Sequence, residues 1–218
     1  VSKLFELGCP LVILACNTAS AKALRTIQQI NLPVIDATRR VLGVIRPTAE
    51  CIGEITRSRH VGILATAGTI KSESYLLEIH KLSPDIVVTG EACPMWVSLV
   101  ENNEYQSEGA DYFVKQHINR LLDKDPMIDT IILGCTHYPL LLDKIRQFTP
   151  GHIRIIAQGE YVARSLQDYL NRHPEMDARC EKGGKCRFLT TESENKFEES
   201  ASIFLGRQDI KVESIALE

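Results

Sequence analysis

Short runs of apolar, β-branched residues alternate along the chain with longer amphipathic stretches. The runs predict strands at Leu11–Ala15, Pro33–Asp36, Val61–Ala65, Ile86–Thr89, Thr130–Leu133, Ile153–Ile156 and Arg187–Thr190. The stretches between them predict helices that include Ala19–Ile30, Ser107–Leu122, Pro139–Phe148, Glu160–Leu170 and Glu194–Leu205. Apolar runs of four or five residues separated by helices are typical of βαβ units around a buried, mostly parallel sheet. The pattern therefore predicts an α/β fold.

Two segments of the chain repeat one local plan. VILACNTASAKAL and IILGCTHYPLLLDKI each lead from an apolar strand through a small residue and a cysteine to polar residues and a helix. The two cysteines, Cys16 and Cys135, are separated by about the length of one small α/β domain. In open parallel sheets, ligands bind beyond the carboxyl ends of the strands. We therefore predict two related halves whose cysteines lie on opposite walls of a shared cleft.

Composition narrows the class of partner. The 218 residues are 44% hydrophobic and carry a net charge of −3, with acidic and basic residues interspersed. A chain without a basic stripe is not expected to hold a nucleic-acid backbone. No run of about 18 apolar residues occurs, so we expect neither a membrane span nor a membrane partner.

The cysteines and the first residues of the chain indicate the cellular compartment of the protein. None of the seven cysteines falls in a CxxC pair, and the first residues do not read as a secretory signal. Free thiols in a reducing cytosol are therefore the expectation. The chain opens in a helical pattern without an initiating Met, so we also expect residues to precede Val1.

The repeated plan suggests a particular chemistry at Cys16 and Cys135. Each thiol is expected at a helix start, where unpaired backbone N–H groups favour a thiolate and lower the pKa. Inversion of a stereocentre by proton transfer needs a base on one face of the carbon and an acid on the other, and two opposed thiols supply both. The alternative is that both cysteines are small buried hydrophobes, which is the commonest fate of a free cysteine.

Several segments carry a specific resemblance. ACNTAS at residues 15–20 and LGCTHYPLL at residues 133–141 resemble the two signature segments of glutamate racemases, within the aspartate/glutamate racemase superfamily. GILATAGTIKSESY, CPMWVSLVE, and RFLTT followed by FEESASIFLG are also similar to that family. The similarity extends over essentially the whole chain.

The resemblance implies a mechanism and a set of site residues. It implies that Cys16 and Cys135 are the catalytic pair, one for each enantiomer, and that His137 and Glu101 assist the second cysteine. It implies substrate contacts at Asn17, Thr18, Thr66, Thr69, Thr136 and His137. It also implies glutamate as substrate, no pyridoxal phosphate or other cofactor, no metal, a homodimer, and a role in supplying D-glutamate for peptidoglycan.

The family architecture implies two pseudo-symmetric, three-layer α/β domains with the active-site cleft between them. We expect a discontinuous first domain of residues 1–40 with 151–218, and a second domain of residues 41–150. The family's opening strand, which carries an Asp-Ser pair, has no counterpart in this sequence, and neither does a Tyr-Gly pair. The resemblance implies that this Asp assists Cys16, so the alternative is a truncated, catalytically impaired fragment that acts only as a binding domain.

Other interpretations remain open. The chain is alternatively an aspartate racemase, a non-catalytic binding domain, or a thiol protein that handles redox changes or metal. Without the resemblance, Glu101 is a solvated helix end, Thr66 and Thr69 are helix caps, and His137 is a hydrogen-bonded structural residue.

The remaining cysteines, aromatic residues and histidines are given structural interpretations. Cys180 and Cys186 are expected to be a surface thiol pair, because their spacing does not suit zinc. The residues expected in packing or core positions are Cys9, Cys51, Cys93, Trp96, Phe197, Phe204 and Leu205. The histidines outside the motif form no pattern: His60, His80, His117, His152 and His173.

Overall fold

The computed structural model describes residues 1–217. The strands are β1 (Leu11–Leu14), β2 (Arg40–Gly43), β3 (His60–Ala65), β4 (Val87–Ala92), β5 (Thr130–Gly134), β6 (Arg154–Ala157), β7 (Phe188–Thr190) and β8 (Val212–Ser214). The α-helices are α1 (Ser2–Glu6), α2 (Asn17–Thr26), α3 (Leu32–Ile35), α4 (Ile45–Ile55), α5 (Ala67–Lys71), α6 (Ser74–Leu82), α7 (Pro94–Glu101), α8 (Glu108–Lys124), α9 (Leu142–Phe148), α10 (Gly159–Arg172), α11 (Pro174–Asp177) and α12 (Glu194–Leu205). A π-helical turn (Ile27–Asn31) follows α2, and a 3₁₀ turn (Tyr138–Leu141) precedes α9.

The central element is a four-stranded parallel sheet in the order β4-β3-β5-β6. Its inner strands β3 and β5 are buried along almost their whole length. Such strands read as continuous apolar runs because helices cover both faces of a parallel sheet. This explains why the two segments were identifiable as strands from the sequence.

Successive residues of β5 point to opposite faces of this sheet, as the two-residue period of a strand requires. Ile131 and Leu133 belong to a core that contains residues of α7, α8 and α9. Ile132 belongs to a second core, which contains residues of α4 and α6. The sheet is therefore the middle of three layers.

Two further parallel pairs complete the strands of the described chain. β1 pairs with β2 over four residues, and β7 pairs with β8 over three. The α/β fold with parallel sheets is confirmed. The sheet of the predicted second domain continues past residue 150, because β6 pairs with β5; the division into domains at residues 40 and 150 remains a prediction.

One predicted strand is wrong. Residues 33–36 were expected to be extended, but Leu32–Ile35 is a helical turn with Pro33 in its first turn. A proline fits that position because its missing N–H has no helical partner there. The chain becomes extended at Asp36, whose carboxylate accepts hydrogen bonds from the Thr38 amide and hydroxyl. The strand beside β1 starts only at Arg40.

Some side-chain expectations are also corrected. Phe204 and Leu205 lie 39% and 51% exposed rather than in the core, because they are on the outer part of the last turn of α12. His117, which formed no pattern in the sequence, is buried on α8, and its Nδ1 lies 2.7 Å from Glu91 Oε1. Trp96 is fully buried, as predicted.

The cysteines outside the two motifs differ in how deeply they are buried. Cys93 is fully buried, while Cys9 and Cys51 are only half-buried. Cys180 is half-buried and Cys186 is exposed. In residues 1–217, no helix has both the length and the apolar character that crossing a bilayer requires.

Candidate active site

Cys16 lies at the junction between β1 and α2. It is the N-cap residue of the helix, has an extended backbone (φ −74°, ψ 124°), and is exposed. Its carbonyl accepts the first helical hydrogen bond, from the Ser20 amide at 2.9 Å. The thiol is therefore presented at the carboxyl end of a parallel strand, as the sequence predicted, and it lies beside the unpaired amides of a ten-residue helix.

Cys135 occupies the equivalent position after β5, but it is only 9% exposed. Burial raises the pKa of this thiol, and repulsion from the Cys16 side chain raises it further. Hydrogen bonds from the backbone amides of His137 and Tyr138 act in the opposite direction without reversing the shift. The expectation of a lowered pKa at both cysteines is therefore wrong for Cys135, because desolvation outweighs the local backbone amides.

The two cysteines are brought together by the sheet and by a cluster of three threonines. β3 and β5 are in register up to Ala65 and Gly134, so Thr66 and Cys135 follow the last paired residues of adjacent strands. The Thr18 hydroxyl lies 2.8 Å from that of Thr66 and 3.0 Å from that of Thr69. Since Thr18 is in the first turn of α2, this cluster holds the Cys16 segment against the strand end beside Cys135.

Thr66 has a structural role as well. It is the N-cap of α5, and its side chain accepts a hydrogen bond from the Thr69 amide at 3.4 Å. The capping interpretation of these residues therefore holds, and it does not exclude their position beside the thiols. Both hydroxyls also lie within hydrogen-bond distance of the Thr18 hydroxyl.

Asn17 is buried next to Cys16 and is only half satisfied. Its side-chain oxygen accepts a hydrogen bond from the Tyr75 hydroxyl at 2.7 Å. Its amide nitrogen Nδ2 is buried without a hydrogen-bond partner among the described residues. A buried donor left unpaired costs about 1–3 kcal/mol, so such a group calls for an explanation. A ligand with an acceptor oxygen provides one.

The Asn17 contact extends into a buried network that the sequence did not reveal. The Tyr75 hydroxyl accepts a hydrogen bond from Gln158, whose amide also donates to Thr48 Oγ1 at 3.0 Å. Gly134 lets the end of β5 approach Tyr75, because a Cβ there would lie 3.1 Å from the tyrosine ring. Gln158 follows β6 directly, and a polar residue at the end of a parallel strand was the signal available for finding it.

A polar relay lies on the Cys135 side. His137 Nδ1 is 3.8 Å from Cys135 Sγ, and His137 Nε2 is 3.2 Å from Glu101 Oε1. Glu101 is the last residue of α7 and its side chain is 60% exposed, whereas that of His137 is 24% exposed. The three groups form one line, in which the imidazole can accept a proton from the thiol while the carboxylate stabilises the resulting charge.

Thr136 is exposed, and no side-chain hydrogen bond holds it within residues 1–217. Its hydroxyl remains free to contact a ligand beside Cys135.

Within residues 1–217, no three His, Cys, Asp or Glu side chains converge as a metal ion would require.

Comparison with known proteins places this arrangement in a family. The model of the Asp/Glu/Hydantoin racemase family matches residues 1–166. The chain belongs to this racemase family. It is 37% identical over 215 residues to a glutamate racemase from Listeria monocytogenes, covering 98% of this chain and 77% of the relative. The chain therefore spans about three quarters of that relative's length.

Solved structures of racemases have the same fold. A glutamate racemase isoform from Bacillus anthracis is 33% identical and superposes with a TM-score of 0.85, covering 99% of this chain and 80% of the other. A glutamate racemase from Francisella tularensis, solved in complex with D-glutamate, is 27% identical with a TM-score of 0.83 over 99% of this chain and 77% of the other. The protein is thus an isomerase of the racemase class with the family's α/β architecture.

Proposed function

We propose that this racemase interconverts L- and D-glutamate by two-base proton transfer between Cys16 and Cys135. The observation that carries the proposal is the placement of both thiols at strand ends, with the segment after Cys16 joined through Thr18 to Thr66 at the end of β3, the strand paired with β5. The glutamate racemases among its relatives, one of them with D-glutamate bound, support the choice of substrate.

In one direction, the Cys16 thiolate removes the α-proton from one face of glutamate. The electron pair of the C–H bond remains on the α-carbon, and the Cys135 thiol protonates the opposite face. Burial keeps the proton on Cys135 by raising its pKa, so this residue enters the reaction as the acid. The product is the other enantiomer, with Cys135 now a thiolate and Cys16 a thiol.

The reverse direction requires Cys135 to act as the base, and its buried thiol opposes that role. His137 resolves the difficulty, because its Nδ1 faces the thiol and can take the proton. Glu101 then pairs with the imidazolium through Nε2. The Cys135 half-site needs this relay because its thiolate is desolvated.

Substrate binding uses the groups around the two thiols. The unpaired Asn17 Nδ2 and the amides at the start of α2 bind a carboxylate of glutamate. The hydroxyls of Thr18, Thr66, Thr69 and Thr136 supply further hydrogen bonds. Removal of the α-proton places charge on the α-carbon and its carboxylate, and hydrogen-bond donors fixed beside it stabilise that charge.

The proposal includes the wider role that the family resemblance implies. The reaction proceeds without pyridoxal phosphate, another cofactor or a metal, in a cytoplasmic homodimer. It supplies D-glutamate for peptidoglycan.

The decisive experiment follows the α-hydrogen of the substrate in D₂O. The protein is incubated with L-glutamate or, separately, L-aspartate, and deuterium incorporation and optical rotation are measured together. We expect deuterium uptake and loss of rotation with glutamate at a much higher rate than with aspartate. A preference for aspartate would reverse the substrate assignment, and binding of glutamate without any exchange would identify a non-catalytic binding domain.

A further inference from the structure

The polar contacts of His137 do not by themselves hold its ring in one orientation. Glu101 is largely exposed, and an exposed ion pair contributes little to fixing two side chains. The distance of 3.8 Å from Nδ1 to the Cys135 sulfur is also long for a hydrogen bond. A relay that needs Nδ1 on the thiol and Nε2 on the carboxylate therefore needs a third contact.

Phe204 provides that contact. Its ring lies 5.4 Å from the His137 ring, centroid to centroid, at an interplanar angle of 86°. This is edge-to-face geometry, which aromatic pairs prefer and which restricts rotation of both rings. Phe204 is 39% exposed, so packing in a buried core does not explain its position.

The helix that carries Phe204, α12, is anchored independently of the site. Phe204 lies in its last turn, and Gly206, the residue after the helix, adopts a left-handed backbone (φ 61°). The helix packs through Ala201 against Ile210 and Val212. The carboxylate of Glu198 accepts a hydrogen bond from the Val212 amide. Phe204 thus reaches His137 from a segment that neither cysteine belongs to.

We propose that Phe204 is a positioning residue that holds the His137 imidazole in line between Cys135 and Glu101. The inference rests on the proposed function of His137 as the proton acceptor for Cys135. Phe204 touches neither thiol in this role and acts only through the imidazole. It makes the C-terminal helix part of the Cys135 half-site.

The test replaces the aromatic ring of Phe204 with an apolar side chain that still covers His137. For Phe204→Leu we expect kcat of glutamate racemisation to fall by roughly three- to tenfold, the range that one aromatic pair supplies, with KM within about twofold of wild type. Phe204→Tyr keeps the edge-to-face pair and is expected to retain wild-type turnover. Ile203→Ala is the matched control, because Ile203 is 42% exposed on the same helix.

A double-mutant cycle separates positioning from general damage. In a His137→Ala background, Phe204→Leu should cause no further loss of kcat. An equal loss in both backgrounds, or wild-type kcat in Phe204→Leu, would overturn the proposal.

Alkylation of Cys135 by iodoacetamide, followed by mass spectrometry of its peptide, gives a readout that does not depend on racemisation. Phe204→Leu should slow alkylation of Cys135 relative to wild type, Phe204→Tyr and Ile203→Ala. If the wild-type protein shows no racemisation but this pattern holds, the proposed reaction fails while the positioning contact stands. If alkylation is equal in all four proteins, the positioning contact fails.

Discussion

The Cys16 and Cys135 half-sites share a local sequence plan but differ in their environments. Cys16 is exposed at the start of a regular α-helix, and no side chain among residues 1–217 hydrogen-bonds to its thiol. Cys135 is buried, precedes a 3₁₀ turn, and faces the imidazole of His137. Similar motifs therefore place the two thiols in different surroundings. Environments that make two titratable groups unlike one another are what allow one to act as acid and the other as base.

The largest effect is expected from removing either thiol. Cys16→Ala and Cys135→Ala should each lower racemisation of glutamate by roughly 10³-fold or more, since one general acid or base contributes about 10²–10⁴-fold. Circular dichroism of the substrate measures the rate in both directions. Cys51→Ala is the control, because that thiol lies on α4 and donates only to backbone carbonyls of its own helix. Near-normal turnover in either active-site variant would break the pairing of the two half-sites.

The next largest effect is expected from removing His137 or Glu101, and it tests the difference between the Cys135 and Cys16 half-sites. His137→Ala should lower kcat by roughly 10²-fold, the low end for loss of a proton-transfer group. Glu101→Gln should cause a smaller loss, because the carboxylate is 60% exposed and acts through the imidazole. Peptide-level alkylation should slow at Cys135 in His137→Ala and stay unchanged at Cys16. If alkylation slowed equally at Cys135 and Cys16, His137 would not act on Cys135 specifically.

A third prediction concerns the hydroxyl network on the Cys16 side. Tyr75→Phe leaves the Asn17 oxygen and the Gln158 amide without their shared partner, and should lower the free energy of unfolding by about 1–3 kcal/mol. Urea denaturation measures this. Tyr112→Phe is the matched control, since Tyr112 is 62% exposed and its loss should change stability by less than about 0.5 kcal/mol. An equal effect of both changes would mean that the buried network contributes nothing specific.

The smallest effect is the pH dependence of thiol reactivity. Because burial raises the pKa of Cys135 above its ordinary value of 9.0, its thiolate fraction should still be increasing above pH 9.0. Alkylation of the Cys135 peptide should therefore rise through that range and be slow at neutral pH. A plateau reached below pH 8 would contradict the desolvated environment and remove the distinction between acid and base in the proposed mechanism.

Six of the seven predicted strands correspond to observed ones, and the clearest are β3 and β5. Both faces of these two strands are covered, so nearly every position is apolar. β2 was missed because its neighbouring segment contains the apolar residues Pro33 to Ile35, which satisfy the same pattern as a helical turn. Local hydrophobicity does not distinguish a short strand from a short helix.

In the candidate site too, local sequence patterns revealed some residues and not others. Cys16 and Cys135 were found from their place at strand ends, and the site threonines were implied by the family resemblance. Tyr75 and Gln158 were not found, because a tyrosine on a helix and a glutamine after a strand become partners only when α6 and β6 pack together. The contact of His117 was not predicted for the same reason, since its partner Glu91 lies on another element.

The sequence by itself determined that this is an α/β racemase with two cysteines at strand-to-helix junctions, because periodicity and motif are local properties of a chain. Only the tertiary structure decided that Cys135 is buried and Cys16 exposed, and that Phe204 contacts His137 of the His137–Glu101 pair. Those properties depend on which distant segments exclude water from a thiol and which side chains they bring beside it.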